Sequence, residues 1–182
     1  MKWITIAVML LGGLALAAAL AALIGSRLPR THRATGERLL AATPETLWRT
    51  LTDVDEFPSW RTDVKRVTRL RDRDGKTMWV EEGGSGKMTF SFERMDPPHL
   101  VVSRIADPDL PFGGTWTSEI TPAPNGSRLK ITEDGEIYNP LFRFMARFVF
   151  GYDGTINAYL SALEKKFGSQ PPGASPWRFH GV

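Results

Sequence analysis

The sequence contains no cysteine, and this absence excludes several classes of structure and site. Without thiols the chain has no disulfide framework, no thiolate metal site and no cysteine nucleophile. Histidine is almost as scarce, since His32, His99 and His180 are the three in the chain and none belongs to a His-x-x-x-His spacing. We therefore predict no metal site, and no motif indicates a cofactor or a Ser-His-acid triad.

The chain also lacks a strong excess of charge of either sign. It has 23 Lys and Arg against 20 Asp and Glu, for a net charge of +3, and the two signs are interspersed. Binding of nucleic acid needs a basic surface, usually with aromatic side chains between the basic ones, and no segment has that pattern. We therefore expect no nucleic-acid partner.

The sequence does have one long apolar run, at its start. No charged residue occurs from Trp3 to Gly25. At about 1.5 Å of rise per residue, a helix of this length extends about 34 Å, enough to cross a hydrocarbon core of about 30 Å. We predict a single-pass transmembrane anchor at residues 1–26, which makes the lipid bilayer a partner through residues 3–25, followed by a linker at 27–33.

A secretory signal peptide that is cleaved off is the alternative interpretation of this run. The run is longer than the apolar core of about 7–15 residues that signal peptides have. Around residues 23–26 no pair of small residues has the spacing that cleavage requires, because Leu23 and Ile24 occupy the relevant positions. Both features favour an anchor. Only Lys2 precedes the run, whereas Arg27, Arg30 and Arg33 follow it. The positive-inside rule therefore favours a cytoplasmic location for the rest of the chain.

The rest of the chain predicts one strand, two short helices, about six antiparallel strands and a final helix. Asp-Gly at 74–75 and Asn-Gly at 125–126 are strong signals for hairpin turns. The final helix is predicted to begin at Pro140, because apolar residues then recur every three or four positions. Gly151 and Gly154 within it indicate a kink or a loosened turn.

This order of elements predicts an α+β domain at residues 34–167. Strands that are joined by hairpins need a cover for one face, and only the final helix is large enough to supply it. The expected architecture is a curved antiparallel sheet around a long C-terminal helix. The last residues, 168–182, are rich in Gly, Pro and Ser and are predicted to form a disordered tail.

Four short motifs and the end of the final helix carry a family resemblance. They are Pro44-x-x-Leu47-Trp48-x-x-Leu51-x-Asp53, Phe57-Pro58-x-Trp60, Gly114-Thr115-Trp116, Thr132-Glu133-Asp134-Gly135-Glu136-Ile137-Tyr138-Asn139-Pro140, and Tyr159-Leu160-x-x-Leu163. Together they resemble the START/Bet v 1-like superfamily, also called SRPBCC or polyketide cyclase/dehydrase-like, over about residues 34–167.

The resemblance implies a helix-grip fold that encloses an apolar cavity between sheet and helix. Members of the superfamily bind lipids, sterols, quinones, polyketides or plant hormones, and a minority catalyse cyclisation or dehydration. Fold alone does not select among these functions. The N-terminal span is a departure from the commonest soluble members, and it favours a ligand drawn from the bilayer.

Aromatic residues and a methionine are the expected lining of that cavity. Strict alternation places Met88, Phe90 and Phe92 on one face of a strand. The full set of expected ligand-binding residues is Met88, Phe90, Phe92, Trp116, Glu133, Phe144, Phe148 and Tyr152. Ordinary core packing is the alternative for the apolar ones. Between prolines and glycines, Leu110 and Phe112 suit a hydrophobic lid, or else an ordinary loop that folds back on the sheet.

Glu133 is the one weak candidate for a catalytic residue. It shares strand parity with Leu129 and Ile131, so a regular pleat points its carboxyl toward the same apolar face. A carboxyl there has a raised pKa and can orient a ligand hydroxyl or act as a general acid or base. Two alternatives stay open: a bulge near Gly135, or an ion pair at the sheet rim, for which Arg104 is a possible partner.

The leading functional hypothesis is a membrane-tethered binding or carrier protein for a hydrophobic small molecule, such as a lipid, an isoprenoid quinone or a polyketide-like compound. Tethering raises the effective concentration of a ligand that is dissolved in the membrane. A second hypothesis is an enzyme of the cyclase/dehydratase type that uses the cavity carboxylate. A third is an interaction module whose cavity is filled by its own large side chains.

Overall fold

The computed structural model describes residues 2–84 and 86–168. The predicted disordered tail, 168–182, lies outside the described residues except for Gly168. The helices are α1 (Lys2–Arg27), α2 (Pro44–Thr52), α3 (Phe57–Trp60), α4 (Pro140–Met145) and α5 (Gly154–Phe167), with a 3-10 turn at Val54–Glu56 and a π-helical turn at Ala146–Phe150. The strands are β1 (Thr31–Leu40), β2 (Val64–Arg69), β3 (Met78–Gly83), β4 (Gly86–Asp96), β5 (Leu100–Ile105), β6 (Phe112–Ala123) and β7 (Gly126–Ile137).

The strands of the described residues form a seven-stranded sheet in the order β1-β7-β6-β5-β4-β3-β2. All neighbouring pairs are antiparallel, and β2 to β7 follow one another in sequence as a meander. The first strand joins the edge beside the last, with α2 and α3 making the connection to the other edge. This arrangement confirms the predicted helix-grip class, a curved antiparallel sheet with the C-terminal helix against it.

The N-terminal helix α1 is exposed along its length and meets the domain at its end. It is the one described helix that is long and apolar enough to cross a membrane. Gly25 is its buried residue, and a Cβ atom there would lie 1.9 Å from the carbonyl oxygen of Pro140. Just beyond the helix, the Leu28 carbonyl accepts a hydrogen bond of 2.9 Å from Nη1 of Arg143. The end of α1 is therefore seated directly against α4.

The core lies between the sheet and the helices α2 and α5. Ile156, Leu160 and Leu163 on α5 are fully buried, as are Leu129 and Ile131 on the sheet. Burial of each such side chain contributes about 1.5–3 kcal/mol, so this interface dominates the stability of the domain.

Close approach of α5 to β1 depends on a glycine. A Cβ atom on Gly36 would lie 2.7 Å from Cγ2 of Ile156 and 3.0 Å from Cδ1 of Leu160. The absence of a side chain at this strand position therefore lets the helix rest directly on the backbone of β1.

The C-terminal helix is interrupted where Gly151 and Gly154 predict it. The interruption is wider than a kink: a π-helical turn ends at Phe150, Gly151 has a φ of +75°, and α5 starts anew at Gly154. At its beginning, Asn139 caps α4, since its side chain accepts hydrogen bonds from the backbone amides of Leu141 and Phe142.

Candidate functional site: a cavity between the sheet and the C-terminal helices

A cavity of about 940 Å³ lies between the concave face of the sheet and the segment that includes the helix break. Its volume is at the upper end of the range of small-molecule sites, about 300–1,000 Å³. Side chains of β4, β5 and β6 form one wall, and residues on both sides of the break, from Phe142 to Tyr159, form the other. The large side chains of the concave face therefore do not fill the space between sheet and helix.

The strand residues expected at the cavity are in its wall. Met88, Phe90 and Phe92 line it from β4, as the alternation of that strand predicts, and Trp116 lines it from β6. Trp79 stacks on Phe90 with ring centroids 5.7 Å apart. This face of the sheet is consequently a continuous apolar surface.

The helical and loop residues expected at the cavity divide into two groups. Tyr152 and Phe112 line it, whereas Phe144, Phe148 and Leu110 are not among the lining residues. Phe144 packs on Phe148, with ring centroids 5.0 Å apart, and the Phe148 side chain is largely exposed. The π-helical turn changes the angular step between successive side chains, so a periodicity of 3.6 residues no longer describes the face that Phe148 occupies. Phe144 lies before that turn, in α4, from which Phe142 and Met145 line the cavity instead.

Glu133 lines the cavity on the face that its parity predicts. The pairing of β7 with β6 and with β1 is continuous from Ser127 to Glu136, so the strand has no bulge near Gly135. Burial raises the pKa of the Glu133 carboxyl, while the His32 imidazole and the Trp116 indole act in the opposite direction. The partners of the Glu133 carboxyl are thus His32 and Trp116, and not Arg104.

His32 is one of the cavity residues that were not predicted, as are Arg61 and Glu81. We expected it in a linker, but the strand β1 starts at Thr31, and His32 lies within it and lines the cavity. Its Nε2 lies 3.4 Å from Oε1 of Glu133, and its ring stacks on Tyr152 with centroids 4.2 Å apart. Nδ1 of His32 is buried and has no hydrogen-bond partner among the described residues.

A glycine makes room for this histidine. His32 pairs with Gly135 across the two strands, and a Cβ atom on Gly135 would lie 2.2 Å from Cε1 of the imidazole and 2.4 Å from its Nε2. Gly135 is therefore the residue that lets the ring lie flat over the strand beside Glu133.

A second polar cluster in the cavity wall surrounds Arg61. Its Nη1 donates to the Glu81 carboxylate at 3.0 Å, and its Nη2 donates to Asp63 at 2.6 Å. The guanidinium also lies 5.3 Å from the ring centroids of Phe57 and Tyr159. Glu81 is buried, and a charge in this position needs the partners that Arg61 and the hydrogen bonds supply.

The two polar clusters differ in what they can offer a ligand. Glu81 accepts a second hydrogen bond, of 3.0 Å, from the Trp79 indole, so the Arg61 cluster is satisfied internally. The pair of His32 and Glu133 has spare capacity, because Nδ1 has no partner and the carboxyl is held in a largely apolar wall. This pair can therefore exchange hydrogen bonds, or a proton, with a polar group of a ligand.

Across residues 2–84 and 86–168, no group of three or more His, Asp or Glu side chains is arranged to hold a metal ion.

Several solved structures have a similar fold, and three of them are compared with this chain. The aromatase/cyclase Zhui from Streptomyces sp. R1128 is 13% identical, with a TM-score of 0.59 over 75% of this chain and 93% of that one. A START superfamily protein from Mycobacterium smegmatis is 18% identical, with a TM-score of 0.58 over 76% and 97%. The di-domain aromatase/cyclase StfQ from the steffimycin biosynthetic pathway is 16% identical, with a TM-score of 0.59; the match covers 76% of this chain but only 51% of StfQ.

These likenesses show a shared fold. The family of the chain is identified by a match to a family model. A search of curated protein sequences gave no match. Residues 31–168, three quarters of the chain, match the model described as polyketide cyclase / dehydrase and lipid transport. The fold is one that binds hydrophobic ligands, and the cavity described above lies within the matched residues. The chain belongs to the polyketide cyclase / dehydrase and lipid transport family.

Proposed function

We propose that this protein is a membrane-tethered binding or carrier protein that holds a hydrophobic small molecule, such as a lipid, an isoprenoid quinone or a polyketide-like compound, in its cavity. The observation that carries the proposal is a mostly apolar cavity of about 940 Å³ in a chain whose N-terminal helix is long and apolar enough to cross a membrane. A cavity of this size accommodates a molecule of about the size of a steroid or a short isoprenoid.

The seating of α1 supports the tether. A cleaved signal peptide needs no specific contact with the mature domain, whereas Gly25 and Arg143 join the end of α1 to α4 by close packing and a hydrogen bond. Tethering would keep the domain at the membrane, where hydrophobic ligands are concentrated. The arginines that follow α1 favour the cytoplasmic side for the domain.

A pair of tryptophan substitutions tests whether ligand occupies the cavity. Ser103 on β5 lines the cavity beside Trp116, its partner on β6. Thr117, which follows Trp116 on β6, is not among the lining residues and points to the other face of the sheet. Ser103→Trp should reduce the lipid that copurifies with the full chain and can be extracted with solvent, while Thr117→Trp should not. Equal lipid content in the two variants and the parent protein would contradict binding in the cavity.

An enzyme of the cyclase/dehydratase type is the second candidate, and one observation favours it. Glu133 and His32 form a titratable pair in the cavity wall, with the pKa of the carboxyl raised by burial. Such a pair can serve as acid and base toward a carbonyl or hydroxyl group. If the protein is such an enzyme, Glu133→Gln should abolish turnover of a β-keto or polycyclic substrate and preserve its binding. If the protein is only a carrier, the same variant should still take up and release its ligand.

The open cavity weighs against the third hypothesis, an interaction module without a ligand. That hypothesis requires the large side chains of the concave face to fill the interior, and a space of about 940 Å³ remains between them and the helices. Aromatic residues line the space instead of closing it.

A further inference from the structure

Four apolar side chains beside the helix break are exposed, although they lie in a folded segment. They are Phe142 in α4 and Phe148, Val149 and Phe150 in the π-helical turn, and we call them the apolar ridge. Phe148 is 59% exposed, Val149 58% and Phe150 71%. Three consecutive apolar residues on a surface indicate an interaction site, because soluble surfaces rarely expose contiguous apolar patches.

The apolar ridge lies next to the point where α1 meets the domain. A Cβ atom on Gly25 would be 3.3 Å from the backbone nitrogen of Phe144, and Phe144 in turn packs on Phe148. Phe144 therefore connects the end of α1 to Phe148 of the apolar ridge. If α1 crosses a bilayer, this geometry places the ridge at the surface of that bilayer.

Basic residues surround the same place. Arg27 ends α1 and Arg30 follows it; both are exposed, and Arg147 is exposed within the π-helical turn itself. Apolar side chains that are flanked by arginines suit the interface of a membrane with anionic lipids, where each basic residue contributes about 1 kcal/mol of attraction. The charge pattern thus favours a lipid surface over an apolar protein partner.

The segment that carries the apolar ridge also lines the cavity. Phe142 and Phe150 are both exposed and part of the cavity wall, and the wall continues across the break through Gly151 to Thr155. A π-helical turn followed by a glycine of positive φ interrupts the regular hydrogen bonding of an α-helix, and such turns are frequent at functional sites. The apolar ridge therefore forms part of the cavity wall at the place where that wall reaches the surface.

We propose that the apolar ridge inserts into the boundary between headgroups and acyl chains of the bilayer that α1 enters, and that the cavity opens onto the membrane at this point. The inference rests on the proposed tether. It adds a second membrane contact, and it assigns to the helix break a role as the passage for a hydrophobic ligand. The ligand then moves between acyl chains and cavity without crossing bulk water.

Site-specific labelling of the full chain tests this inference, and the absence of cysteine makes it direct. Single cysteines replace Phe148, Val149, Thr155, Leu14 and Thr121 in separate variants, and each is labelled with the environment-sensitive fluorophore NBD. Leu14 lies in the middle of α1, and Thr121 lies exposed near the end of β6 that is remote from Phe112 and α4. The labelled proteins are placed in nanodiscs of phosphatidylcholine with phosphatidylglycerol, with and without doxyl-labelled phosphatidylcholine as a quencher.

The proposal expects labels at 148, 149 and 155 to lose most of their emission to the doxyl lipid, and the label at 121 to keep it. Addition of Val149→Asp to the variant labelled at 148 should restore emission, because a carboxylate resists entry into the apolar boundary. Quenching at 148 and 149 without quenching at 155 would overturn the opening of the cavity onto the membrane.

The label in α1 separates the failure of this inference from failure of the proposed tether. Quenching at 14 without quenching at 148 and 149 would leave the tether intact and overturn the membrane contact of the apolar ridge. No quenching at 14 would overturn the tether itself. A blue-shifted, unquenched label at 148 would identify a protein partner or a second copy of the chain as the occupant, and would also overturn the inference.

Discussion

His32 on β1 stacks on Tyr152, which lies in the helix break between Phe150 and Gly154, with ring centroids 4.2 Å apart and planes inclined by 18°. The same imidazole lies 3.4 Å from the Glu133 carboxyl. The contact links the first strand to the interrupted helix across the cavity. It also places the titratable pair at the part of the wall that adjoins the break.

The first prediction concerns this pair. The imidazole of His32 holds the pKa of Glu133 below the value that burial alone would impose. His32→Phe keeps an aromatic ring for Tyr152 but removes the imidazole nitrogens, so we expect the pKa of Glu133 to rise further. Carboxyl-carbon NMR of Glu133 in the variant and the parent protein measures the shift. A lower pKa in the variant would contradict the assigned contact.

The second prediction concerns the pH dependence of stability at Glu133. Because burial raises its folded-state pKa above the ordinary 4.5, the folded state binds the proton more tightly than the unfolded chain does. The stability contributed by this group is complete below about pH 4.5 and is lost as the pH rises through the folded-state pKa. Glu133→Gln has no such dependence.

The stability of the Gln variant relative to the parent should therefore increase from acidic to neutral pH. Denaturant unfolding of both proteins at a series of pH values measures the difference, in which the titration of groups that do not contact Glu133 cancels. A difference that stays constant, or that falls as the pH rises, would show that Glu133 is not held in an apolar environment.

The third prediction concerns the seat of α1. Gly25→Val would drive its side chain into the Pro140 carbonyl, so we expect α1 to separate from α4. Gly12→Val is the matched control, because a Cβ atom there meets nothing within 4 Å. Hydrogen exchange of the α4 amides in nanodiscs should speed up in the first variant only. Equal protection in both would argue that the contact is not formed in the membrane.

The fourth prediction concerns the Arg61 cluster. Arg61→Leu leaves the buried Glu81 carboxylate without its cation, and loss of one partner of a buried pair costs about 3–5 kcal/mol. Arg128→Leu breaks the exposed pair with Glu37 at 2.9 Å and should cost less than about 1 kcal/mol. Thermal unfolding ranks the two variants. Similar costs would mean that water reaches the Glu81 carboxylate.

Strand alternation made the sheet side of the site predictable. In β7 the parity of Glu133 with Leu129 and Ile131 is enough to place its carboxyl in the cavity, because the strand pairs without a register shift. The same argument applies to Glu81, which shares parity with the buried Trp79, although the sequence analysis did not apply it. Because side chains alternate regularly along a strand, one buried residue predicts which other residues of the strand point to the same face.

The same argument also applies to His32, which shares parity with Ala34 and the buried Leu40 on β1, but His32 was placed in the linker at 27–33. The segment Thr31-His32-Arg33 is polar and adjoins the linker, so the sequence does not fix where the strand begins, and pairing of His32 with the distant Gly135 includes it in the strand. Long-range pairing of this kind overrides local propensity.

The helix side of the cavity was less predictable, for a different reason. Phe144 and Phe148 were expected at the cavity from one continuous helical period, which the π-helical turn interrupts between them. Gly151 and Gly154 indicated where the interruption lies, but a glycine pair does not specify how the chain turns. The directions in which side chains point around such a break depend on its backbone geometry. That geometry is determined by the packing of the whole domain.

Native mass spectrometry of the full chain, released from nanodiscs and followed by solvent extraction, tests the central claim most directly. The account predicts a protein mass that includes residues 1–26, together with a discrete adduct that is extracted as a hydrophobic small molecule. A bare protein mass that stays unchanged after incubation with a total lipid extract would contradict the account, since a cavity of about 940 Å³ would then have no hydrophobic ligand from the membrane.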